Sequence, residues 1–314
     1  MINSQMNFIR ASLFLVVALL AACGGGGDSS PPPPPQLWSQ QAYLKAPNAE
    51  ADDTFGTSVA MSGDTVVVGA IGEDSSQTTI TNGSNASADN SASYAGAAYV
   101  FTRSGTTWTQ QAHLKAPNAG ENDFFGTSVA VSGDTVVVGA NGESSNQTTI
   151  TNGATASADN SATYAGAAYV FTRSGSTWTQ QAYLKAPNAE EGDTFGTSVA
   201  VSGDTVVVGA NGEASNQTTV TNGSTASMDN SADHAGAVYV FTRSGTTWTQ
   251  QAYLKAPNAE AGDLFGNSVA VSGGTAVVGA HVESSNQTTI TNGTTASADN
   301  SATDAGATYV FQYN

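Results

Sequence analysis

Cysteine is almost missing from this chain. Its 314 residues contain one, Cys23, so neither an intramolecular disulfide nor a multi-cysteine zinc site can form. Cationic side chains are scarce too: Lys and Arg total 8 against 25 Asp and Glu, a formal net charge of -17. Binding to nucleic acid depends on cations that displace phosphate counterions, so nucleic acid is not an expected partner, and an anionic membrane surface is no better suited. The three histidines, His113, His234 and His281, fall out of phase with one another, and no G-x-S-x-G nucleophile motif is present. They read as drift at exposed positions, so the chain is not expected to be an enzyme. No segment sustains a 3.6-residue apolar period, so helix should be nearly absent.

The longest apolar stretch, Ala11 to Leu20, is too short to span a bilayer and suits the core of a signal peptide. It leads into Leu20-Ala21-Ala22-Cys23, which resembles the lipobox of bacterial lipoproteins. An ordinary secretory signal ending in small residues is the alternative. The resemblance implies cleavage after residue 22 and lipidation of Cys23. Residues 23–36 then contain four glycines and five consecutive prolines, a flexible coil followed by a stiff spacer. The expected organisation is leader 1–22, lipid-anchored tether 23–36 and folded domain 37–314. The expected location is the cell envelope, probably the outer membrane or surface of a Gram-negative bacterium, with the membrane touched only through the anchor.

The domain is four copies of one 70-residue unit. Trp38, Trp108, Trp178 and Trp248 share that spacing, as do Gly56, Gly126, Gly196 and Gly266. Segments 107–140 and 177–210 differ only at 113/183, 120/190, 122/192 and 124/194. Such self-similarity forces a repeat architecture. Within the first unit, Ser58–Ser62 and Thr65–Ala70 flank the two-residue turn Gly63-Asp64 and read as hairpin strands A and B. Ala97–Arg103 and Thr107–Ala116 read as strands C and D, with Trp108, Gln110, Ala112 and Leu114 on one face of D. Residues 71–96 form a long polar insertion between B and C, with a small hairpin excursion around Asn82-Gly83.

Four short antiparallel strands make a propeller blade. The domain opens on a lone D strand, LWSQQAYLKA from Leu37, and ends after the C strand of the fourth unit. The fold expected is therefore all-β: a four-bladed propeller in one chain, closed when the first strand pairs with the last blade. Eight blades from two chains is the alternative, and a monomer is the expected state.

Phe55-Gly56-Thr-Ser-Val-Ala, Gly63-Asp64-Thr-Val-Val-Val-Gly69-Ala70 and Ala95-Gly96-Ala97-Ala98-Tyr99-Val100-Phe101 resemble the FG-GAP repeat of integrin α-type propellers, in all four units. The resemblance implies a propeller scaffold. It also implies a calcium loop between strands A and B, but a two-residue turn cannot wrap a cation that takes six to eight oxygens. No cofactor is expected. Asp53, Asp123, Asp193 and Asp263 are weak metal candidates, and turn capping is the competing reading of each.

Alternation of strand direction places the B–C insertions and D–A links on one face. Apart from Asp28 in the tether and Asp64, Asp134 and Asp204 in A–B turns, every acidic residue falls in those segments. That face should be anionic and is the expected binding surface, with Glu73, Glu143, Glu213 and Glu283 and with Asp89, Asp159, Asp229 and Asp299 upon it. The repeated Trp fits packing between blades better than sugar binding. The function expected is a surface-anchored, non-catalytic binding or adhesion module for an extracellular protein or glycan. The alternatives are a structural envelope protein without a specific ligand and, last, a polysaccharide-acting hydrolase.

Overall fold

A computed structural model describes residues 37–313; the leader, Cys23 and the tether lie outside them. Among the described residues every regular element is a strand. Unit 1 contains β1 (Val59–Ser62), β2 (Thr65–Ala70), β3 (Thr81–Asn82), β4 (Ala97–Ser104) and β5 (Thr107–Leu114). Unit 2 repeats them as β6 (Ser128–Ser132), β7 (Thr135–Ala140), β8 (Thr151–Asn152), β9 (Ala167–Ser174) and β10 (Thr177–Leu184). Unit 3 has β11 (Phe195–Ser202), β12 (Thr205–Ala210), β13 (Thr221–Asn222), β14 (Ala237–Ser244) and β15 (Thr247–Leu254). Unit 4 has β16 (Ser268–Ser272), β17 (Thr275–Ala280) and β18 (Ala307–Gln312).

Each of the first three units is one antiparallel sheet in the order A-B-C-D plus an outer fifth strand, β1-β2-β4-β5-β3 in unit 1. The valine-rich B strand lies second in the sheet, and in unit 2 all six of its residues are buried. The A–B turn is as tight as the sequence implied, with Gly63 at φ 55° as a primed turn requires. Two expectations need correction. The B–C insertion makes no hairpin of its own: Thr81-Asn82 runs back along the sheet and pairs with Ala112 and His113 as the fifth strand. Strand D is not one uninterrupted face either. Pairing with β4 slips between Gln110 and Ala112, leaving Gln111 as a bulge.

The bulged residue helps to join the units. Gln111 Oε1 accepts from Arg173 Nη1 at 3.1 Å and from Trp178 Nε1 at 2.8 Å in the next unit. Gln181 does the same for Arg243 and Trp248. Asn82 and Asn152 clasp the backbone of Trp178 and Trp248. Parallel bridges tie Gly96 to Phe125, Gly166 to Phe195 and Gly236 to Phe265. Ser58, Ser128 and Ser198 donate to the carbonyls of Gly126, Gly196 and Gly266 at 2.7–2.8 Å. Trp178 and Trp248 are buried in these joints, which accounts for the repeated tryptophan by packing.

Three such joints hold four blade-like sheets in tandem, compatible with a propeller. The expected closure is not made. The fourth sheet has three strands and ends on β18, whose outer edge is unpaired. Residues 37–46 form no strand, and Trp38 and Tyr43 are exposed. From Gln41 onward the chain is one compact unit.

Candidate functional site

The two ends of each sheet carry different chemistry. At the A–B and C–D turns every arginine is neutralised by a turn aspartate: Arg103 by Asp64, Arg173 by Asp134 and Arg243 by Asp204, at 2.5–2.6 Å. At the other end the D–A link meets the B–C insertion, as when Asn48 Nδ2 donates to the Ser87 carbonyl at 2.8 Å. Three of the lysines near that end are buried and paired, so its exposed carboxylates, Glu50, Asp52, Glu121, Glu191 and Asp233 among them, stay without a matching cation.

Four residues expected on this face are elsewhere. Glu73, Glu143, Glu213 and Glu283 are 0–3% exposed and belong to the interior. Glu143 Oε2 pairs with Lys185 Nζ at 3.0 Å, while its Oε1 accepts from Asn118 at 3.0 Å and from the Tyr183 hydroxyl at 2.9 Å. Lys185 Nζ also donates to the Gly166 carbonyl at 2.6 Å. This node ties the D–A link, the start of the insertion and the end of strand D, and so sets where the loops emerge. Burial pulls Lys115, Lys185 and Lys255 down from the usual lysine range and pushes Glu73 up. The sequence could not separate a buried glutamate from an exposed one inside a polar insertion.

The weak metal candidates are also interior. Asp53, Asp123, Asp193 and Asp263 are buried, each accepting the N–H three residues earlier, at 2.7–2.9 Å from Glu50, Gly120, Glu190 and Glu260. That is turn capping. Burial pushes Asp123 and Asp193 up to about 7 and raises Asp263. Among the described residues no three His, Cys, Asp or Glu side chains come together as a metal set. Asp89, Asp159, Asp229 and Asp299 are exposed as expected, but each is engaged within its own loop. Asp89 accepts from the Ser76 N–H and hydroxyl and from Ser91 Oγ, which holds it down at about 2.

His113 corrects the reading of the histidines as exposed. It is fully buried in the slot that Tyr183 and Tyr253 fill, with Glu73 at 3.9 Å and no partner for either ring nitrogen. Burial lowers it to about 3, so it is neutral. His234 and His281 are exposed.

The loop face holds one feature that the sequence reading did not pick out. Tyr94 and Tyr164, 41% and 40% exposed, flank Phe124. Phe124 meets Tyr94 edge-on at 5.8 Å and stacks on Tyr164 at 6.4 Å, 6° from parallel. All three have left-handed backbone, φ 53–57°, which non-glycine residues seldom adopt and which turns these side chains out of the regular pattern. The row spans units 1 to 3 and breaks the repeat, because Thr54, Thr194 and Leu264 stand where Phe124 does. A residue that departs from its copies at 124/194 was the available signal.

Four stretches, 38–101, 108–171, 178–241 and 248–311, match the FG-GAP repeat. The chain belongs to the FG-GAP repeat family. Each match begins on a D strand and ends on a C strand, the phase in which the chain itself is cut. Among curated proteins, none matches this FG-GAP chain. Among solved structures it is similar to a phage phi92 endosialidase at 11% identity, covering 71% of this chain and 30% of that one with a TM-score of 0.30. The FG-GAP chain thus spans under a third of that protein's length, and a likeness so slight carries nothing about activity.

Proposed function

We propose that this FG-GAP protein is an envelope-anchored, non-catalytic binding module whose loop face takes an extracellular glycan. The observation that carries the reading is the exposed aromatic row Tyr94–Phe124–Tyr164 set among unneutralised carboxylates. Flat aromatic faces cover the apolar C–H faces of sugar rings, and neighbouring carboxylates and amides accept from and donate to hydroxyls. Three rings in sequence across three units suit an extended chain of sugars better than a single one. The same carboxylates repel polyanions, so a neutral or cationic glycan is the expected class. Lipid on Cys23 and the Gly/Pro tether would present this face away from the membrane, on a scaffold that is an arc of a β-propeller.

A glycan array probed with the full chain and with Phe124→Thr tests the proposal. Threonine is what units 1 and 3 carry at this position, so the variant keeps its fold. Binding to neutral or amino-sugar polymers that falls at least tenfold in the variant is the expected result. Equal binding by both proteins, or no glycan bound, would leave the structural envelope reading in its place. Metabolic labelling with a fatty acid, lost in Cys23→Ala, checks the anchor.

A further inference from the structure

We infer that the two ends of the array are the two halves of a fourth joint, made head to tail with a second copy of this chain. Three lysine–glutamate pairs are buried inside the units: Lys115–Glu73, Lys185–Glu143 and Lys255–Glu213. One member of each type is left over. Glu283 is 3% exposed and accepts from Asn258 and from the Ser285 N–H, but among the described residues it meets no lysine. Lys45 is exposed and pairs with no carboxylate among the described residues, whereas its three equivalents are 1% exposed.

The segment that carries Lys45 already sits as a preceding unit's strand D would. Gln41 accepts from Arg103 and Trp108 as Gln111 does from Arg173 and Trp178. Asn48 bonds Glu73 and Tyr99 as Asn118 bonds Glu143 and Tyr169. What this segment lacks is the A-B-C sheet that should lie along its other side. Unit 4 is such a sheet, with a bare β18 edge that needs a strand D. The register of β9 on β10, carried forward, sets Tyr43 opposite Tyr309 and Leu44 opposite Thr308, and brings Lys45 to Glu283.

The faces match as well as the charges. Val59 and Met61 on β1 and Val310 on β18 are about 60–70% exposed, while their counterparts in unit 2 are buried. Three like joints carry the chain from unit 1 to unit 4 without bringing its ends together, so closure within one chain would bend all of them away from their geometry. A second copy requires no such change. A heterologous joint of this kind closes into a ring when its rotation allows, and two copies give eight blades. This replaces the expected monomer.

Charge reversal separates a joint between copies from one within a chain. The full chain, purified in density-matched detergent, is weighed by sedimentation equilibrium, alone and as the variants Lys45→Glu and Glu283→Lys. The wild type should have the mass of two chains, and each variant that of one. Mixed in equal amounts, the variants should return to two, because both joints of the mixed pair are then oppositely charged. A mixture that stays at the one-chain mass, or a wild type found there, overturns the inference and favours closure within a chain. Near-UV circular dichroism from the buried Trp178 and Trp248 confirms that the variants fold. Gly279→Ala supplies a milder break: the side chain it meets within its own chain is Ser268, yet it faces the proposed joint. It should weaken association at least tenfold, and unchanged association would count against the joint.

Discussion

Strands β7 and β17 carry nearly the same six residues, TVVVGA and TAVVGA, in sheets of the same topology. In β7 all six are buried, whereas in β17 burial alternates. The C strands differ in the same way, β9 buried over its first five residues and β18 at none of its six. Sequence does not explain the contrast; neighbours do. Unit 2 is covered on both flanks and unit 4 on one, and unit 1 shows the same deficit on its opposite flank. A repeat protein's stability is therefore held as much in its joints as in its units. An interior blade and a terminal blade of one sequence are different objects.

The largest effect should come from the buried node. Glu143→Ala leaves Lys185 charged and unpaired inside unit 2, which should cost about 3–5 kcal/mol in urea unfolding followed at Trp178. The same change at Glu283 removes a carboxylate that pairs with no lysine in its own chain, and its cost should be well under half as large. Equal losses would break the contrast between inner and outer units. Next come the bridging glycines. Gly166 and Gly306 both hold positive φ, 78° and 76°. An alanine at 166 would also run into the Phe195 backbone of the next unit, whereas at 306 its nearest neighbour is the His281 carbonyl at 3.2 Å. Gly166→Ala should cost about 3 kcal/mol, and Gly306→Ala about 1, the backbone penalty alone.

Much of the scaffold could be read from the chain. The strand positions, the two-residue turn and the D-to-C phase follow from valine runs, Gly-Asp pairs and the 70-residue period, all of which act locally. The short fifth strand and the bulge at Gln111 could not be read, because each is set by a partner distant in sequence. The candidate site was less legible. Glu73 and Asp53 lie in polar segments, and nothing local says that Lys115 or a turn N–H will bury them. Phe124 was visible as a difference between copies, but its two tyrosine neighbours come from the insertions of units 1 and 2. Only the fold puts them in line.

A smaller effect tests the buried links beside the interior joints. Asp123 is raised to about 7 by burial, above its unfolded value near 3.8. The native state therefore holds a proton that the unfolded chain has released, and the stability this gives is full below about pH 4 and lost as pH rises through 7. Asparagine keeps an acceptor for the Gly120 N–H and cannot ionise. Asp123→Asn should thus gain on the wild type between pH 4 and pH 8, on the order of 2 kcal/mol. Parallel stability curves would show that the carboxyl ionises freely in the fold.

The smallest effect repairs the one place where unit 1 falls short of units 2 and 3 for a reason other than its missing neighbour. Tyr183 and Tyr253 pack against Tyr169 and Tyr239 at 5.2–5.3 Å and reach Glu143 and Glu213 through their hydroxyls at 2.8–2.9 Å. His113 stacks on Tyr99 at 4.9 Å but is too short for Glu73, and both its nitrogens are buried without partners. His113→Tyr should therefore stabilise the chain by about 1 kcal/mol near pH 7, by supplying a hydrogen bond and removing two unsatisfied polar atoms. The gain should grow in acid. The ring is held at about 3 in the fold and titrates near 6.5 when unfolded, so below pH 6.5 the unfolded chain takes up a proton that the native state refuses, down to about pH 3. Melting temperatures of the two proteins should diverge as pH falls from 7 to 4. A tyrosine variant that melts with the wild type across that range would mean that His113 finds a partner in solution, and that unit 1 differs from units 2 and 3 only by its uncovered flank.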